Sequence, residues 1–278
     1  MPELPEAEVT ARQLRTRLIG ARVADIWVGR PDIVREGLSS LGWYAGSTIR
    51  AVDRRGKSVI ITCEKGGALR YLVAELGMTG LLLFPSVEVR FPQHIHAVVS
   101  FEGSSRPPVR YWNPRRFGRL SLLDGDGLRR YTARRFGCDP LSVTRQEFTR
   151  LLRCRRRLKP LLMHQQAIAG IGNIYANEIL FRSRIHPNAI AGRLTAGAVE
   201  RLHSIMQSVL REAIDCGGSS VRDYFAPDGS EGQYKVRHLV YGKAGQPCPN
   251  QCGAHIRRLQ SERSSFYCPL CQNRRRKV

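Results

Sequence analysis

The period of the apolar residues changes once along the chain, and that change limits what it can fold into. From Ala21 to about Asp126 they come as short or alternating runs (VADIWV, STIRAV, SVIITC, ALRYLVAEL, LLLF, HAVVSF, GRLSLL) broken by glycine. Strands at this spacing, with Gly-rich turns and no intervening helices, predict an antiparallel sandwich or barrel. Ahead of them Leu4, Ala7, Ala11, Leu14 and Leu18 form one apolar helical stripe that Gly20 stops. Residues 127–145 read as a basic connector broken by Gly137 and Asp139-Pro140. The pattern then turns helical. RLLRCRRRLK (150–159) leads into Pro160, tolerable in a first turn, and LLMHQQAIAG ends at Gly170. Asn173 is placed to cap NIYANEILFRSR, and Thr195 to cap a longer helix that Gly217-Gly218 terminates. The expectation is a mixed α+β chain: an N-terminal antiparallel β-sandwich with a leading helix over 1–130, a helical domain over 131–225, and a small C-terminal module over 226–278.

Forty-five Lys+Arg against 23 Asp+Glu give a formal net charge of +22. Such an excess points to a polyanionic partner, and the dominance of arginine suits bidentate phosphate contacts. Charge alone leaves a membrane-surface or ribosome-like protein open. No apolar run approaches the ~18–20 residues a spanning helix needs, and the acidic N-terminus has no apolar signal core. A cytoplasmic monomer is expected, associated with the nucleoid through DNA.

Four of the eight cysteines are scattered, and four crowd the C-terminus as CPNQC…CPLC. Three residues separate Cys248 from Cys252, fifteen lie between the pairs, and two separate Cys268 from Cys271. Two tight thiolate knuckles make a tetrahedral Zn²⁺ site, and four cysteines leave none of the open positions that metal catalysis needs. One structural zinc is expected, folding a hairpin (RRLQSERSSFYC) with Arg257, Arg258 and Arg263 outward. DGSEGQYK (228–235), Gly-rich and polar, reads as a mobile loop.

The first residues, MPELPEAE, put Glu3, Glu6 and Glu8 at the front of this basic chain. A helix macrodipole accounts for acid there. A chemical reading is also available. With Met1 removed, Pro2 presents a secondary amine. Its adduct with an aldehyde-level carbon is an iminium that cannot shed its charge by losing an N-proton. An α-amino group titrates near ~7.7–8.0 against ~10.4 for lysine, so far more of it is neutral near pH 7. Glu3 beside it can pass a proton to a group reacting there.

MPELPE, RRGK (54–57), LGMTG (76–80), NPRRFG (113–118), GIGNIYANE (170–178) and the cysteine tail occur in that order. Together they resemble the formamidopyrimidine-DNA glycosylase family of bacterial enzymes that excise oxidised purines, and the resemblance spans the whole chain. Endonuclease-VIII-like relatives generally have Gly where Leu4 stands. The resemblance implies a β-sandwich, a helix–two-turn–helix domain and a zinc finger, with double-stranded DNA held in the cleft between them. It implies a glycosylase/AP lyase with Pro2 as Schiff-base nucleophile, Glu3 as catalytic acid and Glu6 as the second N-terminal glutamate. Lys57 matches a lysine taken to assist β-elimination, and Arg263 a phosphate-gripping arginine linked to δ-elimination. Met78, Arg115 and Phe117 match residues that fill the gap left by the extruded base. Asn173 and Lys159 match backbone-clamping positions and His94 a phosphate contact, while Cys154 falls near a DNA-touching lysine that Arg155 could replace. The loop matching 228–235 closes over an oxidised guanine. Departures from the usual pattern include the longer first cysteine knuckle, Asn113 for a common Asp, Ile95 between His94 and His96, and Glu75 before LGMTG.

Overall fold

The computed structural model describes residues 2–103, 106–220, 224–260 and 263–273. The chain divides into two compact units, Met1–Arg135 with Ile214–Lys235, and Phe136–Ala213 with Val236–Val278. Among the described residues, no helix is long and apolar enough to cross a membrane.

The first unit begins with α1 (Leu4–Leu18), whose buried stripe is Leu4, Ala7, Ala11, Leu14 and Leu18, as the spacing predicts. Nine strands follow among the described residues. β1 (Val23–Val28), β7 (Ile95–Phe101), β8 (Val109–Trp112) and β6 (Leu81–Leu83) form one sheet in that order. β2 (Val34–Glu36), β9 (Arg119–Leu123), β5 (Ala68–Glu75), β4 (Ser58–Lys65) and β3 (Thr48–Arg55) form the other. Val23, Ile26, Ala97 and Tyr111 of the first sheet share one core with Ile49, Ile61, Leu72 and Leu120 of the second, and α1 adds Ala7, Ala11 and Leu14. The sandwich is antiparallel except where β2 pairs parallel with β9. Guanidiniums tie α1 to β3: Arg15 Nε donates to the Val52 carbonyl at 2.8 Å, and Arg54 Nε to Glu8 at 3.0 Å.

Part of the expected connector is a helix, α2 (Gly125–Arg135). Two glycines and a single apolar anchor hide it from a periodicity reading. The Asp124 carboxylate accepts the Gly127 N–H at 2.7 Å, Tyr131 is buried, and Arg135 lies over the Tyr131 ring.

In the second unit α3 (Arg145–Leu152) starts earlier than expected, at a capping box of Thr144 and Glu147. α4 (Leu158–Leu162) holds Pro160 in its first turn. α5 (Asn173–Arg182) is capped by Gly172 rather than Asn173, which is its first helical residue. α6 (Ala196–Asp215) begins where the Ala198 N–H meets Thr195 Oγ1, and Gly217 and Gly218 follow it with φ of +75° and +84°. β10 (Arg257–Leu259) pairs antiparallel with β11 (Ser265–Tyr267), the expected hairpin; its residues 261 and 262 lie outside the described set.

Candidate active site and nucleic-acid interface

Both N-terminal glutamates are turned inward, each 1% exposed. Glu3 is the N-cap of α1 in a reciprocal box: its carboxylate takes the Glu6 N–H, and Glu6 Oε2 accepts the Glu3 N–H at 2.7 Å. Glu6 does a second job that the sequence does not announce. Its Oε1 accepts the Ser219 N–H at 2.7 Å, and its carbonyl accepts the Tyr224 hydroxyl at 3.1 Å. One carboxylate therefore fixes both the helix start and a segment more than 210 residues away. Pro2 is buried at this junction, and Met1, whose removal the chemical reading needs, lies outside the described residues. Glu8 faces the other way, between Arg54 and Arg12, each at 3.0 Å. Burial alone would raise its pKa, but the two guanidiniums outweigh burial and hold it below the usual carboxylate range.

Lys57 occupies the tip of the two-residue β3–β4 hairpin. Gly56 takes φ +58° there, as the first position of such turns favours, and Arg54 Nη1 braces its carbonyl at 3.4 Å. Sheet register gathers the other loops. Glu75 pairs with Ser58 on one side and Arg119 on the other. The turn bearing Lys57, the loop bearing Met78 and the loop bearing Arg115 and Phe117 thus leave one end of the five-stranded sheet. The Glu75 carboxylate is clamped by Arg35 at 3.3 Å and Arg135 at 3.2 Å.

The Met78 and Phe117 loops touch backbone to backbone. Gly77 has φ +59°, and a Cβ there would collide with Phe117 and Gly118; one at Gly118 would collide with the Glu75 carbonyl and the Tyr111 hydroxyl. Met78 is half-buried, Arg115 exposed, and Phe117 56% exposed with the Arg115 guanidinium 5.1 Å from its ring centre. An aromatic that far out of a core, stacked under a cation, is a surface tip and not packing. Arg116, at φ +53°, carries the chain round this tip.

His94 is half-buried beside Phe91, with ring centres 5.9 Å apart. The buried His96 is bonded through Nε2 to the Asn113 carbonyl at 3.1 Å; burial lowers its pKa, so it is neutral near pH 7. The loop 228–235 is pinned: Asp228 and Gln13 bond reciprocally at 3.0 and 3.2 Å, and Gly232 N–H reaches Ser220 Oγ at 2.8 Å.

In the second unit, the turn before α5 is stapled by one amide. Gln165 Nε2 reaches the Met163 and Ile171 carbonyls, and its Oε1 accepts the Gly170 N–H at 2.8 Å, with Gly170 at φ +104°. That presents the α5 N-terminus, and Asn173 at its first position is half-buried. A helix start of this kind is suited to a phosphate. Arg155 is exposed. Lys159 is instead 4% exposed, its Nζ donating to the Ser264 carbonyl at 2.8 Å, Ser265 Oγ at 2.9 Å and the Arg263 carbonyl at 3.3 Å. It holds the main chain that carries the exposed Arg263. Two further straps were not legible in the chain. Glu178, fully buried, accepts the N–H groups of Leu239, Val240 and Tyr241, and Asn177 Oδ1 accepts that of Phe266 at 2.7 Å. An acid and an amide inside an otherwise apolar helix were the available signal.

Cys248, Cys252, Cys268 and Cys271 converge, with their Sγ atoms all within 4.8 Å of one another. Cys248 and Cys271 are 3.8 Å apart and Cys252 and Cys268 3.4 Å, close to the ~3.8 Å edge of a tetrahedron with ~2.3 Å Zn–S bonds. Gln251 and Gly253 take φ of +52° and +79°, which lets the three-residue knuckle close. Burial pushes the Cys248 thiol up while a backbone hydrogen bond at Ala254 draws Cys252 down to about 7, and four sulfurs at this spacing suit a tetrahedral divalent cation. The residues fit one structural zinc.

The chain combines a β-sandwich led by a capped Pro-Glu start, a helical unit and a four-cysteine hairpin whose thiols fit one zinc. Family models match along the chain: the formamidopyrimidine-DNA glycosylase N-terminal domain over residues 1–120, its H2TH domain over 136–224, and the zinc finger found in FPG and IleRS over 245–274. The formamidopyrimidine-DNA glycosylase of Solibacter usitatus is 37% identical over 99% of this chain and all of its own. Two solved structures superpose closely. Lactococcus lactis Fpg in complex with abasic-site DNA has a TM-score of 0.87 at 31% identity, over 98% of this chain and all of that one. MutM in complex with carbocyclic 8-oxo-G DNA has a TM-score of 0.86 at 31% identity, with the same coverage. The chain belongs to the formamidopyrimidine-DNA glycosylase family, and is an enzyme of its glycosylase/AP lyase type.

Proposed function

We propose that this enzyme binds double-stranded DNA, extrudes an oxidised purine (8-oxoguanine or a formamidopyrimidine), removes it through a Schiff base on Pro2, and cleaves the strand by β,δ-elimination. The carrying observation is the N-terminal junction: Pro2 leads a helix whose first turn is locked by Glu3 and Glu6, so a freed proline nitrogen has a fixed origin and an acid beside it. Support comes from relatives named formamidopyrimidine-DNA glycosylase, and from neighbours bound to DNA with an abasic site or an 8-oxo-G analogue.

The neutral Pro2 nitrogen attacks C1′ as the C1′–N bond breaks; the base leaves with that electron pair and takes up the proton the proline nitrogen sheds. Glu3 protonates the ring oxygen, the sugar opens, and the product is an iminium with a fixed positive charge. That cation acidifies C2′. Loss of a C2′ proton expels the 3′ phosphate with help from Lys57, and a second elimination expels the 5′ phosphate with help from Arg263. Met78, Arg115 and Phe117 fill the vacated stack, offsetting unstacking that costs a few kcal/mol. His94, Arg155 and Asn173 contact the backbone, the pinned 228–235 loop covers the extruded base, and Lys159 serves the DNA grip by fixing the Arg263 hairpin.

Borohydride added during turnover on an 8-oxoguanine duplex traps a protein–DNA adduct on the peptide that begins at Pro2, and intact mass shows Met1 absent and one zinc bound. Equal trapping by Pro2→Gly, or active enzyme that retains Met1, overturns the mechanism.

A further inference from the structure

Both loops that bear the tip residues change sheets. The chain crosses from β5 to β6 through 76–80, and returns from β8 to β9 through 113–118. At this end of the sandwich a single hydroxyl joins the two layers. Tyr111, on β8 and 2% exposed, donates to the Glu75 carbonyl at the end of β5 across 2.6 Å. The same oxygen accepts Asn113 Nδ2 at 3.2 Å, and Asn113 passes a second N–H to the Gly118 carbonyl at 3.2 Å. Gly80 and Gly118 both pack against this hydroxyl, leaving no room for a Cβ. Thr79 Oγ1 accepts the Arg115 N–H at 3.3 Å, a second link between the loops. Leu81 and Leu82 then lead back into the sheet, pairing with Trp112 and Tyr111.

We infer that the Tyr111 hydroxyl is a positioning group that makes the Met78 loop and the Arg115–Phe117 loop one rigid piece, so that their tips enter the DNA stack together. The inference rests on the reading above, in which those tips act as the wedge. Burial, reinforced by the Glu75 charge, raises the Tyr111 pKa, so the hydroxyl stays protonated and donating throughout the working pH range. Without it the Glu75 carbonyl loses its donor, Asn113 loses one of its two acceptors, and the sheets are free to shift at the point where both tips are aimed. Extrusion of a stacked base needs both tips, whereas an abasic site has no base to displace.

The test is Tyr111→Phe in the full-length zinc-loaded enzyme, which removes one oxygen and keeps the ring. Single-turnover excision from an 8-oxoguanine duplex is expected to fall about tenfold, or ~1.4 kcal/mol of transition-state stabilisation. Cleavage and borohydride trapping on a preformed abasic site stay within about twofold. A 2-aminopurine beside the lesion reports slower unstacking. Thr79→Val, which cuts only the second link, shows the same selectivity at about threefold, and carries the test alone if Tyr111→Phe fails to fold. Equal losses on both substrates, or wild-type excision by a folded Tyr111→Phe, overturn the proposal. Wild-type enzyme that neither excises nor traps overturns it together with the reading beneath it.

Discussion

The Phe117 tip and the Arg263 hairpin are both short and polar, and both hold out an exposed side chain, yet they are held in different ways. The first is the end of a large sandwich. Glycine contacts, a cross-sheet hydroxyl and paired strands fix it, and its order follows from a core the unit has buried anyway. The hairpin has three-residue strands and only a small core shared with Phe181 and Val240, so it is fixed largely by four thiolates and by straps from Lys159 and Asn177. A tip on a large core is stabilised by packing; a tip on a small module needs a metal and charged anchors.

Zinc removal should separate the two regions most sharply. Chelation, or Cys268→Ala, abolishes strand cleavage and melts the hairpin, while near-ultraviolet signals from the sandwich tryptophans persist. Because the thiols must shed protons to bind, zinc release comes earlier as pH falls, measurable with a chromogenic chelator. Loss of sandwich signal along with the metal would erase the distinction.

Glu178→Ala strands one buried and two half-buried N–H groups, and should cost roughly 3–9 kcal/mol of local stability at about 1–3 kcal/mol each. Hydrogen exchange of Leu239–Tyr241 reads this directly, and Glu178→Gln should recover part of it. Gly118→Ala strikes the other region. The new Cβ meets Tyr111 and the Glu75 carbonyl, costing about 3 kcal/mol in thermal melts with zinc content unchanged.

The smallest effect belongs to Glu8. Its folded pKa is depressed, so its contribution is complete above its ordinary value of 4.5 and is lost as pH falls through the lower folded value. Glu8→Gln should therefore flatten the melting temperature against pH below about 4.5, by less than ~1 kcal/mol. An unchanged acid limb would show that Arg54 gains nothing from the ion pair.

Elements whose periodicity matches their burial were legible in advance: α1, the strand runs, α6 with its Thr195 cap, and the cysteine knuckles. α2 was not, since one buried tyrosine and an Asp124 cap leave no stripe to count. The parallel β2–β9 pair escaped because strand direction is set by partners distant in sequence. Among candidate site residues, motif positions were readable as types but not as environments. Lys159 looks like a free cation in a basic run, and is in fact spent on the hairpin main chain. Tyr111 and Gln165 belong to no motif and Glu178 only closes one, and the partners of Tyr111 and Glu178 lie tens of residues away.

The order of amino acids by itself determined the alternation that builds a sandwich, the helix stops, the thiol spacing for a metal and the positive charge, because each depends on neighbours within a few residues. Tertiary structure alone decided that Glu6 answers Ser219, that one hydroxyl ties two sheets, and that Glu75 stands between the Lys57 turn and the Phe117 loop. Those are long-range pairings of buried polar groups, and a buried donor or acceptor finds its partner only after the core has closed around it.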